Sequence, residues 1–163
     1  MSLRLLLSAA LATCAASALV SCSGTEGTHI TGMADLPLKT TELPGTSWQQ
    51  SPLRANAQYL LYGTNTRSQK KDRLGDYYYV SWYDADPTQP VKLVMTYTQA
   101  RTASQLFTRT IDYPAPRESV GSHKAEFFFN GEERKLGGDI LTWKIDLYAE
   151  GKLVDSRHSY LWK

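Results

Sequence analysis

The sequence predicts an all-β protein, an antiparallel β-sandwich of about seven strands. Three observations carry that prediction. Val91–Thr98 alternates cleanly, with Val91, Leu93, Met95 and Tyr97 on one side and Lys92, Val94, Thr96 and Thr98 on the other. Aromatic and β-branched residues concentrate in short runs, of which Tyr77–Tyr83 is the densest. Turn signals separate these runs at intervals of about ten residues, and no stretch reads as a convincing amphipathic helix. A small β-barrel is the rival architecture.

The chain has 163 residues, room for one domain. Its opening is a secretory signal. Arg4 supplies a positive n-region, and Leu5 to Val20 form an apolar run too short, and too soon followed by Ser, Gly and Thr, to be a membrane span. Residues 22–47 are rich in Gly, Pro, Ser and Thr and lack any period, as a flexible tether would. A coil of that length spans roughly 25–30 Å. Alternatively, part of it, Leu36–Leu43, packs as an edge strand.

Trp48 opens the predicted domain, residues 48–163. Ala57–Tyr62 is a strand candidate ending at Gly63. Thr64–Leu74 reads as a polar loop whose basic part, Arg67–Arg73, offers Arg67, Lys70, Lys71 and Arg73 to solvent, to anionic lipid or to a sugar acid. Tyr77–Tyr83 is a strand, and Asp84–Pro90 a turn. Val91–Thr98 and Ser104–Tyr113 follow, the latter with Phe107, Ile111 and Tyr113 on one face and ended by Pro114 and Pro116. His123–Phe129 turns Ala125, Phe127 and Phe129 to the core. Asn130-Gly131 is a strong turn dipeptide, and Glu132–Gly138 a polar connection.

The last stretch, Asp139–Trp162, reads as a hairpin around a Gly-containing break. Leu141, Trp143, Ile145 and Leu147 share one face; Val154, His158, Tyr160 and Trp162 share a parity. Both apolar sets meet the core if Leu147 pairs with Val154, which sets Trp143 opposite His158 and Asp146 opposite Asp155. This pair of strands resembles the last two strands of immunoglobulin-like or fibronectin-type-III-like domains. The antibody inter-sheet disulfide is absent, which suits the fibronectin-like side.

Leu19-Val20-Ser21-Cys22 closes the signal. These four residues resemble the lipobox of bacterial lipoproteins at every position. The resemblance implies cleavage before Cys22 and lipidation of its sulfur, leaving residues 1–21 as a lipoprotein signal peptide. At about 0.8 kcal/mol per buried methylene, two or three acyl chains anchor a protein durably. Ser23 after the cysteine leans towards the outer membrane of a diderm envelope. Ordinary secretion, by cleavage after Ala16-Ser17-Ala18, is the alternative.

Removing residues 1–21 takes one of the 18 basic residues and no acidic one, leaving 17 against 16. So balanced a charge gives no whole-chain argument for nucleic acid. Both cysteines, Cys14 and Cys22, precede the predicted domain, which must therefore be stable through its core without disulfides.

A search for catalytic and metal motifs returns little. No His-x-His, His-Glu-x-x-His, Cys-x-x-Cys, Gly-x-Ser-x-Gly elbow or phosphate loop occurs. The expectation is a non-enzymatic protein with no metal and no cofactor. Asp84-Ala85-Asp86 is a weak calcium candidate, more simply a turn. His29 is expected in the solvated tether, His123 at a strand start, and His158 as a packing residue on the core face. Alternation in Tyr77–Tyr83 sends Tyr78, Val80 and Trp82 one way and Tyr77, Tyr79 and Tyr83 the other. One set must leave the core. An exposed aromatic platform stacks on sugar rings or anchors a protein partner; alternatively the tyrosines cover the sandwich edges with their hydroxyls in water. The expected function is a lipid-anchored envelope protein with a structural or interaction sandwich. The rival functions are a carbohydrate-binding surface lipoprotein using Tyr77, Tyr79 and Tyr83, and an enzyme built on Asp, Glu or Tyr.

Overall fold

A computed structural model describes residues 27–45, 47 and 51–163. Residues 1–21, with the lipobox, as well as Cys22 and Trp48, lie outside these. Among the described residues seven strands form two antiparallel sheets. Strand β1 (His29–Asp35), β2 (Gly75–Asp84) and β5 (Gly121–Asn130) make one, in the order β1-β2-β5. The other holds β3 (Val91–Gln99), β4 (Leu106–Tyr113), β6 (Ile140–Ala149) and β7 (Lys152–His158), in the order β4-β3-β6-β7. In the seven-strand immunoglobulin constant arrangement the fourth strand pairs with the fifth. Here β4 pairs with β3 instead.

The core forms where the inner faces meet. Tyr78, Val80 and Trp82 of β2 and Ala125, Phe127 and Phe129 of β5 pack on Leu93, Met95 and Tyr97 of β3 and on Ile145 and Leu147 of β6. Each set is the apolar half of an alternating strand. The sheets do not close into a barrel. Side chains stitch both seams where a ladder would otherwise run. On one side Asp155 Oδ2 accepts from the Ile30 backbone N–H at 2.9 Å, and Arg157 donates to the Ile30 carbonyl at 3.2 Å. On the other, Arg109 donates to the Phe128 carbonyl, and the Tyr113 hydroxyl donates to the Lys124 carbonyl at 3.0 Å.

Those seams correct the expected hairpin register. The turn is two residues, Glu150 and Gly151, both at positive φ, and Tyr148 pairs with Leu153 as expected. A bulge then skips Val154, so Leu147 pairs with Asp155 and Lys144 with His158. The one-residue slip exchanges the faces of β7. Asp155 and Arg157 turn towards β1, while Val154 and His158 turn out. His158 is therefore exposed, and Trp143 does not face it. Inward charges and a bulge also blunt an edge strand against pairing with other chains. A second bulge drops Leu141 from the β3–β6 ladder, leaving it exposed while Ile140 packs on the core.

Other expectations are overturned as well. His29–Asp35 is a strand within the stretch read as tether, so folded chain precedes Trp48. Leu36–Leu43 forms no strand, and meets β2 through the Leu36 N–H on the Tyr77 carbonyl at 2.9 Å and the bridge from Leu38 to Gly75. Ala57–Tyr62 is not a strand: α1 (Ser51–Leu60) runs through it. Pro52 suits the first turn, where its missing N–H is not needed, and Ala57, Leu60 and Leu61 recur at helical spacing. They bury against Leu38 and Tyr77 as a second small cluster outside the β1-β2-β5 sheet. The polar stretches flanking β2 and β5 are also helical. In α2 (Arg67–Asp72), Thr66 and Gln69 form a capping box. In α3 (Gly131–Gly137), Glu132 and Glu133 precede Arg134 and Lys135, the charge order the helix dipole favours.

Gly75, which starts β2, has no room for a side chain. A Cβ there would lie 2.2 Å from the Phe129 carbonyl oxygen and 2.9 Å from Asn130 Cα. Backbone atoms cannot swing aside. Gly75→Ala is expected to cost about 1–3 kcal/mol through overpacking, read as a lower urea midpoint with an unchanged slope. An unchanged midpoint would show that β2 and β5 do not approach this closely.

Candidate functional site

Alternation along β2 builds the site. Tyr78, Val80 and Trp82 point into the sandwich, and Tyr77, Tyr79, Ser81 and Tyr83 point to the outer face of the three-stranded sheet. On the neighbouring β5 the same parity sends Lys124, Glu126 and Phe128 outwards. Tyr77 is opposite Phe128, and Tyr79 opposite Glu126. The rings meet: Tyr77 and Phe128 have centroids 5.2 Å apart, and Tyr79 and Phe128 stand edge-to-face at 6.0 Å.

Helix α1 crosses one end of this face and divides the predicted tyrosines. Tyr77 lies under it, only 2% exposed. Its hydroxyl donates to the Arg73 carbonyl and accepts from Asn130 Nδ2 at 3.0 Å. It is a packing residue, which corrects its place on an exposed platform. Tyr79 is half-buried and borders open space. Tyr83 sits at the far end of the strand, tilted against His29 with centroids 5.7 Å apart, and takes no part in the groove. His29 is thereby on the sheet and not in a solvated tether.

The helix adds what it covers. Tyr59 and Tyr62 project from α1 and the turn after it, 70% and 85% exposed, beside the 37% exposed Phe128. Tyr59, Tyr62, Tyr79, Glu126 and Phe128 line a groove of about 190 Å³. It continues into a shallower one of about 470 Å³ along Ser81, Lys124 and the backbone of β1. Burial pushes the Tyr79 hydroxyl above the usual phenol range, and the charge of Glu126 adds to the effect. Tyr79 therefore offers a neutral O–H beside an aromatic face. Such a surface stacks flat apolar faces and hydrogen-bonds at their rims. Among the described residues Glu126 is the one carboxylate lining either groove, and they assemble no facing pair of the kind a glycosidase needs there.

Comparison with protein-family models, curated proteins and solved structures returned no match.

The other expected sites resolve into structure. Asp84 is fully buried and ion-paired to Arg117, Nε to Oδ2 at 2.6 Å. Asp86 turns back onto Thr88. The two carboxylates are thus committed elsewhere, and among the described residues no group of three His, Cys, Asp or Glu side chains converges as a metal site. His123 lies inside β5, which starts two residues earlier at Gly121 and not at His123 as expected, and is stacked on Trp82 with centroids 4.7 Å apart.

Sequence reasoning missed Tyr59, Tyr62 and Phe128. The signals were present. Phe128 has the parity opposite to Phe127 and Phe129, and Tyr59 and Tyr62 are three apart, one helical turn.

Proposed function

We propose that this is a lipid-anchored cell-envelope protein whose sandwich is a non-enzymatic interaction module. The observation that carries the module is the exposed aromatic groove of Tyr59, Tyr62, Tyr79 and Phe128. Rings left in water at one place on a folded surface are the usual mark of a binding face. The anchor rests on the lipobox resemblance of Leu19-Val20-Ser21-Cys22, with Ser23 favouring the outer membrane. Among the described residues no helix is long and apolar enough to cross a membrane.

A sugar is the occupant the groove chemistry favours. Its aromatic edges stand beside the Tyr79 hydroxyl, Glu126 and Ser81, a mixture that suits a pyranose with one apolar face and hydroxyls around it. A protein partner is the other reading. A glycan array probed with full-length protein in neutral detergent tests the sugar. Binding is expected, and Tyr59→Ala or Tyr79→Ala should weaken it at least about tenfold, or ~1.4 kcal/mol. A blank array with a protein crosslinked at Tyr62 in intact cells would shift the occupant to a protein. The anchor is tested separately: Cys22→Ala should release the chain from washed membranes, and equal retention would remove lipidation from the account.

A further inference from the structure

A second cleft, unrelated to the aromatic groove in its chemistry, opens between α2, α3 and the turn after β3. It measures about 380 Å³, and Lys71, Arg101, Arg134 and Lys135 line it, with Asp139 as its one carboxylate. The fold brings these together from three separate stretches. The backbone N–H groups of Ala100 and Arg101 donate to the Asp139 and Gly137 carbonyls, both at 2.9 Å. Gly138, at φ +81°, lets the strands approach: a Cβ there would lie 3.1 Å from Ala100 Cβ and 3.2 Å from Arg101 Cγ. The same contact sets Arg101 on the cleft wall.

The cations differ in how far they are neutralised. Asp139 is shared by Arg134, at 2.9 Å, and by Lys39, at 3.1 Å. Lys135 is held by Glu132 at 2.6 Å and Asp72 at 3.3 Å. Arg101 donates to the uncharged Lys135 carbonyl at 2.6 Å, which fixes the guanidinium without cancelling its charge. Lys71 has no carboxylate partner among the described residues. Two uncompensated cations therefore face one cleft. Lys71 brings a mobile point charge, and Arg101 a planar fork, the pair of donors that suits an oxyanion.

We propose that this cleft binds a phosphate monoester, with Lys71 and Arg101 holding its oxygens. Two free positive charges match a dianion better than a single carboxylate. The volume exceeds that of a bare ion, so the phosphate arrives on a larger group. Leu74 and Gly131 line this cleft while their neighbours Arg73 and Asn130 line the aromatic groove, so the two lie side by side. The carrier is either a soluble sugar phosphate or the headgroup of a phosphatidic lipid.

The test uses full-length protein in neutral-detergent micelles at constant ionic strength. Inorganic phosphate, glucose 1-phosphate and dihexanoyl phosphatidic acid are titrated in turn while backbone amide shifts are followed by NMR. Saturable shifts around Ala100, Gly131 and Gly138 are expected. Lys71→Ala with Arg101→Ala should weaken binding at least about tenfold, since charged hydrogen bonds are lost. Lys92→Ala, at the far end of β3 from the cleft, and Tyr59→Ala should not. Tighter binding of glucose 1-phosphate would identify a soluble source, and tighter binding of the lipid a headgroup. If the alanine pair unfolds, Lys71→Gln with Arg101→Gln replaces it. Absence of saturable binding to all three probes, or an unchanged affinity in a folded double variant, overturns the proposal. The Tyr59→Ala control keeps this outcome separate from the fate of the aromatic groove.

Discussion

Arg117→Ala is expected to destabilise the protein by about 3–5 kcal/mol, the cost of breaking a buried ion pair from one side. Asp84 is 0% exposed at the end of β2, and Arg117 Nε donates to it at 2.6 Å. The same guanidinium donates to the carbonyls of Tyr113 at 3.2 Å and Asp86 at 3.0 Å. One side chain thus ties the turn after β2 to the segment after β4, and it also lies near the Trp82 ring, at 5.9 Å. Truncating it leaves a carboxylate in the interior with only the Asp86 N–H, at 3.3 Å, as a hydrogen-bond partner. His123 Nε2 is near, at 3.8 Å, but too far to replace the lost bond. Adding Asp84→Asn to Arg117→Ala should recover part of the loss, because the stranded charge is gone. Urea denaturation of the three variants checks this. A single variant within about 0.5 kcal/mol of wild type, the range of ordinary surface substitutions, would mean the pair does not hold these turns.

Phe129→Ala should cost a similar amount, about 3–5 kcal/mol, for lost transfer energy plus the cavity left behind. Phe129 is 0% exposed and joins the two sheets. Its ring stands edge-to-face with Tyr78 of its own sheet at 6.0 Å and with Tyr97 of the opposite sheet at 4.5 Å. The Arg109 guanidinium of β4 lies 4.5 Å from the ring centroid. An alanine there removes the contact surface of three neighbours at once. Phe129→Leu keeps most of the volume and should cost less than half as much. Equal costs for the two substitutions would indicate that ring-specific contacts, and not volume, dominate at this position.

The aromatic groove illustrates how a site can be half legible. The parity of Tyr77–Tyr83 placed Tyr79 on the outer face, where it is found. It placed Tyr77 there equally, since parity records which way a side chain points and not what lies above it. Helix α1 lies above it. That helix escaped notice because a short apolar run such as Ala57–Tyr62 satisfies strand and helix alike. The choice fell to burial: as a helix, Ala57, Leu60 and Leu61 share one face and seal Leu38 and Tyr77. The capping box at Thr66 and Gln69 and the charge order of Glu132 to Lys135 did announce α2 and α3, but six or seven residues are too few for a periodic pattern to stand out.

The architecture is legible in the local pattern of residues. Alternation in β3 and most of β6, and the inward parity of β2 and β5, leave one core face on each strand, and water forces such faces together as two sheets. Tertiary structure alone decided the register of β7, the partner of Asp84 and the roof over Tyr77. Each depends on residues distant in the chain: β1 receives Asp155 and Arg157, the segment after β4 supplies Arg117, and α1 covers the outer sheet. A side chain's direction is a local property, written into neighbouring residues. Its contacts are settled only when remote segments compete for the same space and the same unpaired hydrogen-bonding groups.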